Sequence, residues 1–326
     1  MSEGKLTVGM VGSSTKENEK RVALHPVHFS KFDAETRAQV YVEKGYGKQF
    51  RISDDEMRPH VAGLMAREEL FEKCDSVMIF KPTEADFPYL REGQTLWGAL
   101  HLVQGPPITQ MAIDKKLTCI PMESMFTWGR NGRKGVWLFH TQSHLAGYCS
   151  VLHSLQLLGL KGWYDQPRKV AILSYGSVGR GAVHACRALD YTDISVFTQR
   201  PPMAVKDAVP TVKYGQYQRA DDGTDKVLER SPDGDLTPMG ELLADYDIIV
   251  NCVLQDTDRP LTFVHNDDLP RFKSGTLIVD VSCDLGMGCE FARPTRFDDP
   301  LFEVGDRVVY YAVDHSPSLL YQTASL

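Results

Sequence analysis

Three ionisable side chains in the N-terminal half stand directly after short apolar, strand-like runs. Arg21 lies in the loop SSTKENEKRVALHP after the first run, Lys81 follows SVMIF, and His101 follows TLWGAL. An arginine binds a carboxylate through paired hydrogen bonds, a lysine stabilises negative charge that develops on oxygen, and a histidine exchanges protons near neutral pH. Together they predict a site for an acidic carbonyl compound. Taken singly, Lys81 is equally well explained as a solvated strand end and His101 as a packing residue.

A second feature, KVAILSYGSVGRGAVHAC at 169–186, has the order apolar strand, glycine-rich turn, helix. The pyrophosphate of a dinucleotide binds at such a turn, on the N–H groups that begin the helix. The first glycine of the usual G-x-G-x-x-G pattern is a serine here, so a tight structural turn remains the alternative. The expected cofactor contacts in this turn are Ser174, Gly176, Ser177, Val178 and Gly179.

The end of the next strand indicates which dinucleotide is bound. NAD-preferring domains usually carry Asp or Glu there, which binds the ribose 2′-OH. Here the strand ends at Thr198, and Gln199 and Arg200 follow. No carboxylate repels a 2′-phosphate, and a planar cation is available to bind one. We therefore expect NADPH, with Arg200 as an ordinary solvated cation the alternative.

Other polar side chains also follow predicted strands. Asp284 in VDVSCD stands just past a strand end, where a catalytic residue beside the nicotinamide is expected. Val253 and Leu254 end another strand and are expected cofactor contacts. Glu123, in PMESM, is a candidate for binding a substrate ammonium group, with a buried structural carboxylate the equal alternative. The histidines of HTQSH have the spacing of a metal pair, but no third ligand follows at a convincing spacing, so no metal is expected.

Strand-like and helical patterns alternate along most of the chain, which predicts a doubly wound α/β architecture with parallel sheets. Strands are predicted at Lys5–Val11, Val40–Glu43, Ser76–Phe80, Thr95–Leu100, Thr118–Pro121, Lys169–Leu173, Ile194–Thr198, Asp247–Val253 and Thr276–Val281. One long helix over residues 141–160 separates the two strand series, so we expect it to bridge two α/β domains. The Asp- and Gly-rich segment 219–238 is expected to be a surface excursion.

Composition argues against several classes of function. The 326 residues carry a formal net charge of −7, which leaves no basic surplus for binding nucleic acid. The N-terminus lacks the features of a signal peptide, and no apolar run approaches the ~20 residues that span a bilayer. The seven cysteines are scattered without a CxxC pair, which is typical of a reducing compartment. We expect a cytoplasmic protein that acts on small molecules.

Taken together, these motifs resemble a known family. SSTKENEKRVALHP, FKP at 80–82, ALH at 99–101 and HLAGYCSVLHSL resemble the alanine dehydrogenase and pyridine nucleotide transhydrogenase superfamily. VFTQRP, CDLGMGCEFARPTRF and VDHSPSLLYQTAS resemble its N5-(carboxyethyl)ornithine synthase branch. The resemblance implies two Rossmann-like domains on doubly wound parallel sheets, with a cleft between them. One is an NADP(H)-binding domain at 141–299, inserted in a substrate domain of residues 1–140 plus 300–326. Relatives look to continue past TASL, which implies a shortened C-terminus or a first domain that closes differently.

The resemblance also implies roles for individual residues. Arg21 would bind the carboxylate of a keto acid, while Lys81 and His101 would perform the polar catalysis. Asp314 and His315 match a returning segment that lines the cofactor cleft in such enzymes.

The expected activity is that of an NADPH-dependent opine-type synthase. It would condense a 2-oxo acid, first of all pyruvate, with the amino group of an ornithine- or lysine-like amino acid and reduce the imine. Two alternatives stay open: reductive amination with ammonia, as in alanine dehydrogenase, and an NADPH-binding sensor without catalysis. The segments TQR and CDLGMG argue against the first, and the presence of Arg21, Lys81 and His101 argues against the second. Relatives of this kind usually form dimers or larger assemblies, so a homo-oligomer is expected.

Overall fold

The computed structural model describes residues 6–103, 106–220, 226–231 and 233–326. The chain divides into two compact units, Met1–His140 with Leu320–Leu326, and Thr141–Leu319. The predicted start of the first strand, Lys5, lies outside the described residues.

The first unit is built on a sheet of six parallel strands, followed along the chain by a separate hairpin. These strands are β1 (Val8–Val11), β2 (Val40–Glu43), β3 (Gly63–Met65), β4 (Ser76–Ile79), β5 (Thr95–Gly98) and β6 (Thr118–Pro121), with β7 (Phe126–Trp128) and β8 (Lys134–Trp137) in the hairpin. The sheet order is β3-β2-β1-β4-β5-β6. This is the strand order of a Rossmann fold, in which ligands bind at the carboxyl ends of the strands near the switch point between β1 and β4.

The second unit is built on a larger, nine-stranded sheet. The strands of the whole unit are β9 (Lys169–Leu173), β10 (Asp193–Thr198), β11 (Lys213–Arg219), β12 (Val227–Arg230), β13 (Leu236–Pro238), β14 (Ile248–Asn251), β15 (Thr262–Val264), β16 (Thr276–Asp280), β17 (Gly288–Cys289), β18 (Leu301–Val304) and β19 (Val308–Tyr311), and all but β15 and β17 belong to the large sheet. Six parallel strands, in the order β11-β10-β9-β14-β16-β19, repeat the Rossmann order, and antiparallel β12, β13 and β18 extend the two edges. The short strands β15 and β17 pair separately. The predicted fold class, two Rossmann-like units on parallel sheets, is confirmed.

The α-helices connect the strands and are mostly short. They are α1 (Ala34–Arg37), α2 (Asp54–Met57), α3 (Arg67–Lys73), α4 (Pro106–Asp114), α5 (His140–Leu157), α6 (Ser177–Ala188), α7 (Met239–Leu243) and α8 (Tyr321–Ser325). Short 3₁₀ helices occupy Pro26–Lys31, Lys48–Phe50, Arg58–His60, Glu84–Tyr89, Met122–Ser124, Pro202–Ala204, Asn266–Arg271 and Ser316–Leu320. The long helix expected over 141–160 is α5.

Both faces of the second sheet are buried. In β9, Val170 and Ile172 pack on one face, while Ala171 and Leu173 pack on the other, and none of the four is more than 1% exposed. A parallel sheet covered on both sides needs apolar residues at successive positions, which explains the unbroken run KVAIL.

One predicted boundary differs from the structure. Residues 300–326 were expected in the first domain, but residues 300–319 lie in the second unit. The reason is strand pairing, because β19 runs parallel to β16 and β18 closes an antiparallel hairpin with β19. Only residues 320–326 pack with the first unit, where the Ser325 hydroxyl accepts a hydrogen bond from the N–H of Val22.

Candidate functional site

In the first unit, Arg21 is buried and paired with a second charged residue, Glu19. The Nε of Arg21 donates to Oε1 of Glu19 at 2.8 Å, Nη2 contacts Oε2 at 2.5 Å, and both residues are under 8% exposed. Burial alone would raise the pKa of Glu19, but hydrogen bonds and charge from Arg21, with the charge of Lys81, hold that pKa below its usual value. The two positive residues predicted to share a site therefore lie around one buried carboxylate.

Phe80 provides the surface on which this cluster rests. It directly follows β4, and the guanidinium of Arg21 lies over its ring, 4.6 Å from the centroid. A cation over an aromatic face is attracted by the ring's quadrupole and is fixed in orientation. Lys81 is the next residue in the chain, so the end of β4 brings Arg21 and Lys81 to the same edge of the sheet.

His101 follows β5, the strand that neighbours β4. The ends of the two strands are joined by the N–H of Ala99, which donates to the carbonyl of Phe80 at 2.9 Å. His101 is exposed and has a φ of +49°, a left-handed conformation that few non-glycine residues adopt. Such a conformation persists only where neighbouring groups stabilise it.

Glu123 is the group that stabilises the backbone at His101. Its Oε1 accepts the N–H of His101 at 2.6 Å, and its Oε2 accepts the N–H of Leu100 at 3.2 Å. The half-buried carboxylate therefore orients the loop that carries His101. Binding of a substrate ammonium group by Glu123 stays a prediction.

The first unit also has a Rossmann-like sheet, but the turn after β1 is occupied by the carboxylate of Glu43. Glu43, the last residue of β2, accepts the N–H groups of Gly12 and Ser13 at 2.8 Å and the Ser13 hydroxyl at 2.6 Å. In a nucleotide domain those N–H groups face phosphate. A carboxylate already accepts these N–H groups here, and its charge would repel a phosphate, which argues against a dinucleotide at this turn.

In the second unit, the turn after β9 has the backbone of a dinucleotide loop. Ser174 has a φ of +78°, the left-handed region that favours glycine, which explains why a glycine is usual at this position. A Cβ at Gly179 would come within 2.2 Å of the carbonyl oxygen of Ser174, so only glycine lets the helix approach the strand. Ser174 therefore differs from the usual glycine in residue type but has the backbone conformation that favours glycine.

The N-terminus of α6 fits an anionic group. Gly176 is the N-cap of this twelve-residue helix, no side chain caps it, and a Cβ built on Gly176 would meet open space. The first N–H groups of a helix have no partners within the helix and carry partial positive charge. Ser177, Val178 and Gly179 begin the helix here, and a pyrophosphate would bind their N–H groups.

Two more glycines fix the position of α6 against α5. A Cβ at Gly147 would lie 1.9 Å from the carbonyl oxygen of Val178, and a Cβ at Gly181 would lie 1.9 Å from that of His144. The two helix backbones are therefore in direct contact. This contact explains the small residues in the middle of both helices and holds the turn that α6 begins.

The end of β10 presents no acidic side chain. Thr198 is buried, its hydroxyl accepts the N–H of Arg200 at 3.4 Å, and the side chains of Gln199 and Arg200 are exposed. The position from which NAD-preferring domains bind the ribose 2′-OH thus carries an amide and a guanidinium.

Arg200→Gln is expected to weaken NADPH binding about tenfold or more and NADH binding less than about twofold, because a charge-assisted contact to phosphate would be lost. Dissociation constants for both dinucleotides, from fluorescence titration, test this. Arg187→Gln, an exposed arginine of α6, is the control. Equal weakening of both dinucleotides would rule out Arg200 as the reader of a 2′-phosphate.

A cavity of about 500 Å³ lies beside this turn. It brings together four of the predicted cofactor contacts, Ser174, Gln199, Val253 and Leu254. Its other lining residues, which sequence reasoning missed, are Tyr217, Arg219, Gln255, Asp256, Arg259 and Leu261. The volume is within the range of small-molecule sites. The other predicted contacts, Gly176, Ser177, Val178, Gly179, Thr198, Arg200, Asp314 and His315, are not among its lining residues.

Asp284 is held by a buried network around Asp280, the last residue of β16. Oδ1 of Asp280 accepts the N–H groups of Ser282 and Cys283 and the side-chain amide of Asn251, and Oδ2 accepts the hydroxyl of Tyr310. Cys283 has a φ of +58°, so the chain turns sharply just before Asp284. Burial raises the pKa of the half-buried Asp284. The network fixes the loop from which Asp284 projects.

Complete burial raises the pKa of Asp280 from its usual 3.8 to about 6, although its hydrogen bonds oppose the shift. A raised pKa means that the folded state binds the proton of Asp280 more tightly than the unfolded state does. Proton binding therefore stabilises the folded state at low pH, and this contribution is lost as the pH rises from about 4 to about 7. Asp280→Asn keeps the acceptor oxygen and cannot ionise. Across that range the free energy of unfolding of the wild type should fall by about 3 kcal/mol relative to the variant. Denaturant titrations of both proteins measure this, and parallel pH profiles would contradict it.

Asp314 and His315 follow β19. Nδ1 of His315 lies 2.6 Å from Oδ1 of Asp314, and the His315 ring is 1% exposed, against Phe297. The neighbouring Ser316 contacts the hydroxyl of Ser150 in α5. Asp314 is exposed, whereas His315 would have to be uncovered before it could touch a ligand.

The described part of the chain has no cluster of side chains suited to binding a metal ion. No group of three His, Cys, Asp or Glu side chains there could hold a metal ion, and the ring of His144 packs against that of His184. All seven cysteines are free thiols. None of the described helices has both the length and the apolar character needed to cross a membrane.

Comparison with protein families gives two matches that together span most of the chain. Residues 11–146 match the family described as "Alanine dehydrogenase/PNT, N-terminal domain", and residues 157–326 match "Alanine dehydrogenase/PNT, C-terminal domain". The chain is 28% identical over 320 residues to N(5)-(carboxyethyl)ornithine synthase of Clostridium botulinum, covering 94% of this chain and 87% of that protein. It is also 28% identical over 330 residues to alanine dehydrogenase of Methanococcus maripaludis, covering 97% of this chain and 82% of that protein.

Solved structures share the fold. An L-alanine dehydrogenase superposes with a TM-score of 0.71 at 22% identity, covering 98% of this chain and 86% of that one. A transhydrogenase from Sinorhizobium meliloti superposes with a TM-score of 0.69 at 20% identity, covering 98% of this chain and 90% of that one.

Proposed function

Since this chain belongs to the alanine dehydrogenase/PNT family, we propose that it is an NADPH-dependent opine-type synthase. The proposed reaction joins a 2-oxo acid, first of all pyruvate, to the amino group of an ornithine- or lysine-like amino acid. The amine adds to the ketone, water leaves, and the resulting imine is reduced to a secondary amine. One NADPH and one proton are consumed for each water and each product formed.

The observation that carries the proposal is the charge cluster near the end of β4, in which Arg21 and Glu19 are buried and Lys81 is half-buried. Two cations around one carboxylate leave a local positive charge, which attracts an anionic substrate. Glu19 fixes the guanidinium of Arg21, and Arg21 binds the substrate carboxylate by charge-assisted hydrogen bonds. A fixed carboxylate in turn fixes the ketone carbon beside it.

The steps at the ketone are assigned to Lys81 and His101. The ammonium of Lys81 donates a hydrogen bond to the ketone oxygen and stabilises the negative charge that develops there as the amine attacks. The imidazole of His101 carries a proton from the attacking amine to the ketone oxygen, which forms the hydroxyl of a carbinolamine. It then delivers a second proton, the one consumed from solution, so that the hydroxyl leaves as water and an iminium ion remains for reduction. Glu123 acts only on the backbone of His101 in this scheme, by holding it in its left-handed conformation.

The second unit would hold the dinucleotide through the N-terminus of α6 and the adjoining cavity. When bound there, NADPH supplies the hydride. The protein's part is to place the cofactor and exclude water. Asp284, whose pKa is raised by burial, is assigned to the nicotinamide end, on the loop that the Asp280 network supports.

The substrate class and the cofactor preference rest on two supports. The similar proteins of Clostridium botulinum and Lactococcus lactis bear the name N(5)-(carboxyethyl)ornithine synthase, the latter at 28% identity over 98% of this chain. The end of β10 has Arg200 and no carboxylate.

The test is the fate of the transferred hydrogen. NADPH that carries deuterium on the transferred position is incubated with pyruvate, ornithine or lysine, and the protein, and the products are analysed by mass spectrometry. We expect a secondary amine that contains one deuterium and has lost the elements of water. Deuterated lactate without any deuterated secondary amine would overturn the proposal.

A second candidate, reductive amination with ammonia, is favoured by the similarity to alanine dehydrogenase of Methanococcus maripaludis. It uses the same Arg21, Lys81 and His101, and differs in the nucleophile. Deuterated alanine, formed from pyruvate and ammonia, would establish it.

A further inference from the structure

The cavity beside the dinucleotide turn lies between two landmarks of nucleotide binding. Ser174 opens the turn that faces phosphate, and Gln199 follows the strand that reads the adenosine ribose. The buried ring of Tyr217 and the side chains of Val253 and Leu261 give it an apolar wall. A cavity that extends from the phosphate turn to the ribose-reading strand suits the adenosine end of a dinucleotide.

The opposite wall is a loop, residues 254–261, that is held in shape by side chains. Nη2 of Arg219 donates to the carbonyl oxygens of Arg259 and Pro260, both at 2.6 Å. The Gln255 amide bonds the main chain of Leu261 twice, its oxygen accepting the N–H at 2.9 Å and its nitrogen donating to the carbonyl at 3.1 Å. Because the loop is braced at several points, the cavity keeps its shape in the protein alone.

The charged side chains at this cavity favour an anion. Arg219 and Arg259 supply two positive charges, and Asp256 supplies one negative charge on an exposed side chain. Arg219 is anchored and partly buried at the end of β11, so its charge is less screened by solvent than that of an exposed arginine. An unphosphorylated adenosine offers nothing for these cations to pair with.

We propose that this cavity binds the adenosine end of NADPH and that Arg219 and Arg259 recognise its 2′-phosphate. The inference rests on the proposed function and deepens it. Arg200 would bind the 2′-phosphate together with two arginines that do not lie at the expected strand end. Arg219 has a double role, because the guanidinium that carries the charge also braces the loop.

Binding of fragments and whole dinucleotides tests the proposal without catalysis. Wild type, Arg219→Gln, Arg259→Gln and Asp256→Asn are titrated with NADPH and NADH by fluorescence, and with 2′,5′-ADP and 5′-AMP by calorimetry. Arg259→Gln should weaken NADPH and 2′,5′-ADP about five- to tenfold, and NADH and 5′-AMP less than about twofold. Arg219→Gln also removes the brace of the loop, so it should weaken all four ligands, and the two that carry a 2′-phosphate more. Asp256→Asn should shift the preference the other way, because it removes a like charge. Arg230→Gln is the matched control, an arginine of neighbouring β12 that contacts Gln218 and does not line the cavity.

The outcomes separate this inference from the proposed function. Arginine variants that weaken NADPH and NADH equally would overturn the inference and leave the proposed function standing. Wild type that binds 2′,5′-ADP no tighter than 5′-AMP would overturn the inference and the NADPH preference, and would leave the proposed condensation reaction standing. Wild type that binds neither dinucleotide would overturn both the inference and the proposed function. Arg259→Gln leaves the main-chain brace intact, so it decides the question even if Arg219→Gln unfolds.

Discussion

His101→Gln is expected to lower kcat by about 10²–10⁴-fold, the usual contribution of a general acid–base group. The amide keeps the size and hydrogen-bonding capacity of the imidazole but cannot carry a proton from the amine to the ketone oxygen. Glu123 accepts the main-chain N–H groups of Leu100 and His101, and the substitution leaves both N–H groups in place, so the loop should keep its shape in the variant. The dissociation constant of NADPH should stay within about twofold, because His101 is not among the proposed dinucleotide contacts.

Steady-state kinetics combined with NADPH titration measure this effect, with His28→Gln as the control. His28 lies in the same unit, and its ring contacts the carbonyl of Leu326. Added imidazole should restore part of the activity of His101→Gly, since a small base can enter the space that the side chain leaves. Unchanged turnover in His101→Gln would remove this residue from the mechanism.

The second large effect is expected at Arg21. Arg21→Gln should lower kcat/KM for the 2-oxo acid by about 10²–10³-fold, because a charge-assisted pair to the substrate carboxylate is lost. The single variant also leaves Glu19 as a buried carboxylate that keeps the charge of Lys81 but loses its hydrogen-bonded cation, and breaking a buried ion pair destabilises a protein by about 3–5 kcal/mol. The double variant Glu19→Gln with Arg21→Gln removes both charges and should fold while showing the same kinetic loss.

A substrate without a carboxylate provides the internal control. If Arg21 binds that group, the double variant should lose activity toward pyruvate and keep its low activity toward a neutral ketone of similar size. Equal losses toward both ketones would assign Arg21 a structural role only. NADPH affinity should be unchanged in either case.

The sequence was most informative at positions where a close approach of two backbone segments requires a particular residue type. Gly176 and Gly179 were predicted as part of a dinucleotide turn. The structure gives Gly179 a steric reason, its contact with the carbonyl oxygen of Ser174, whereas a Cβ at Gly176 would meet open space. The serine at 174 weakened the pattern as read from residue types. Its positive φ shows that one non-glycine residue can adopt the required conformation, which pattern matching alone does not reveal.

The residues that contact the predicted site residues were harder to predict from the sequence. Glu19 stands two positions before Arg21, and a buried glutamate needs a nearby cation, but nothing in the sequence says that either residue is buried. Arg219 was missed because β11, with the sequence KYGQYQR, alternates between polar residues and tyrosines rather than forming an apolar run. Its position beside the cavity depends on a strand pairing that lies outside its own segment.

The misplaced segment 300–319 has a similar cause. The family resemblance implied an outer domain that closes with the last residues of the chain, whereas the local sequence LFEVGDRVVYYA contains a hairpin signal. Gly305 has a φ of +57° between β18 and β19, where the chain reverses. A turn with glycine between two apolar runs favours a hairpin, and the burial of Tyr310 and Tyr311 holds that hairpin in the second unit.

The most direct measurement is the initial rate of NADPH oxidation with pyruvate, in parallel reactions that contain ornithine, lysine, ammonia or no amine. The proposed function predicts oxidation with an amino acid partner, little or none with ammonia at the same concentration, and none without an amine. Oxidation with ammonia that equals or exceeds the rate with every amino acid would contradict the synthase proposal and establish a deaminating dehydrogenase in its place.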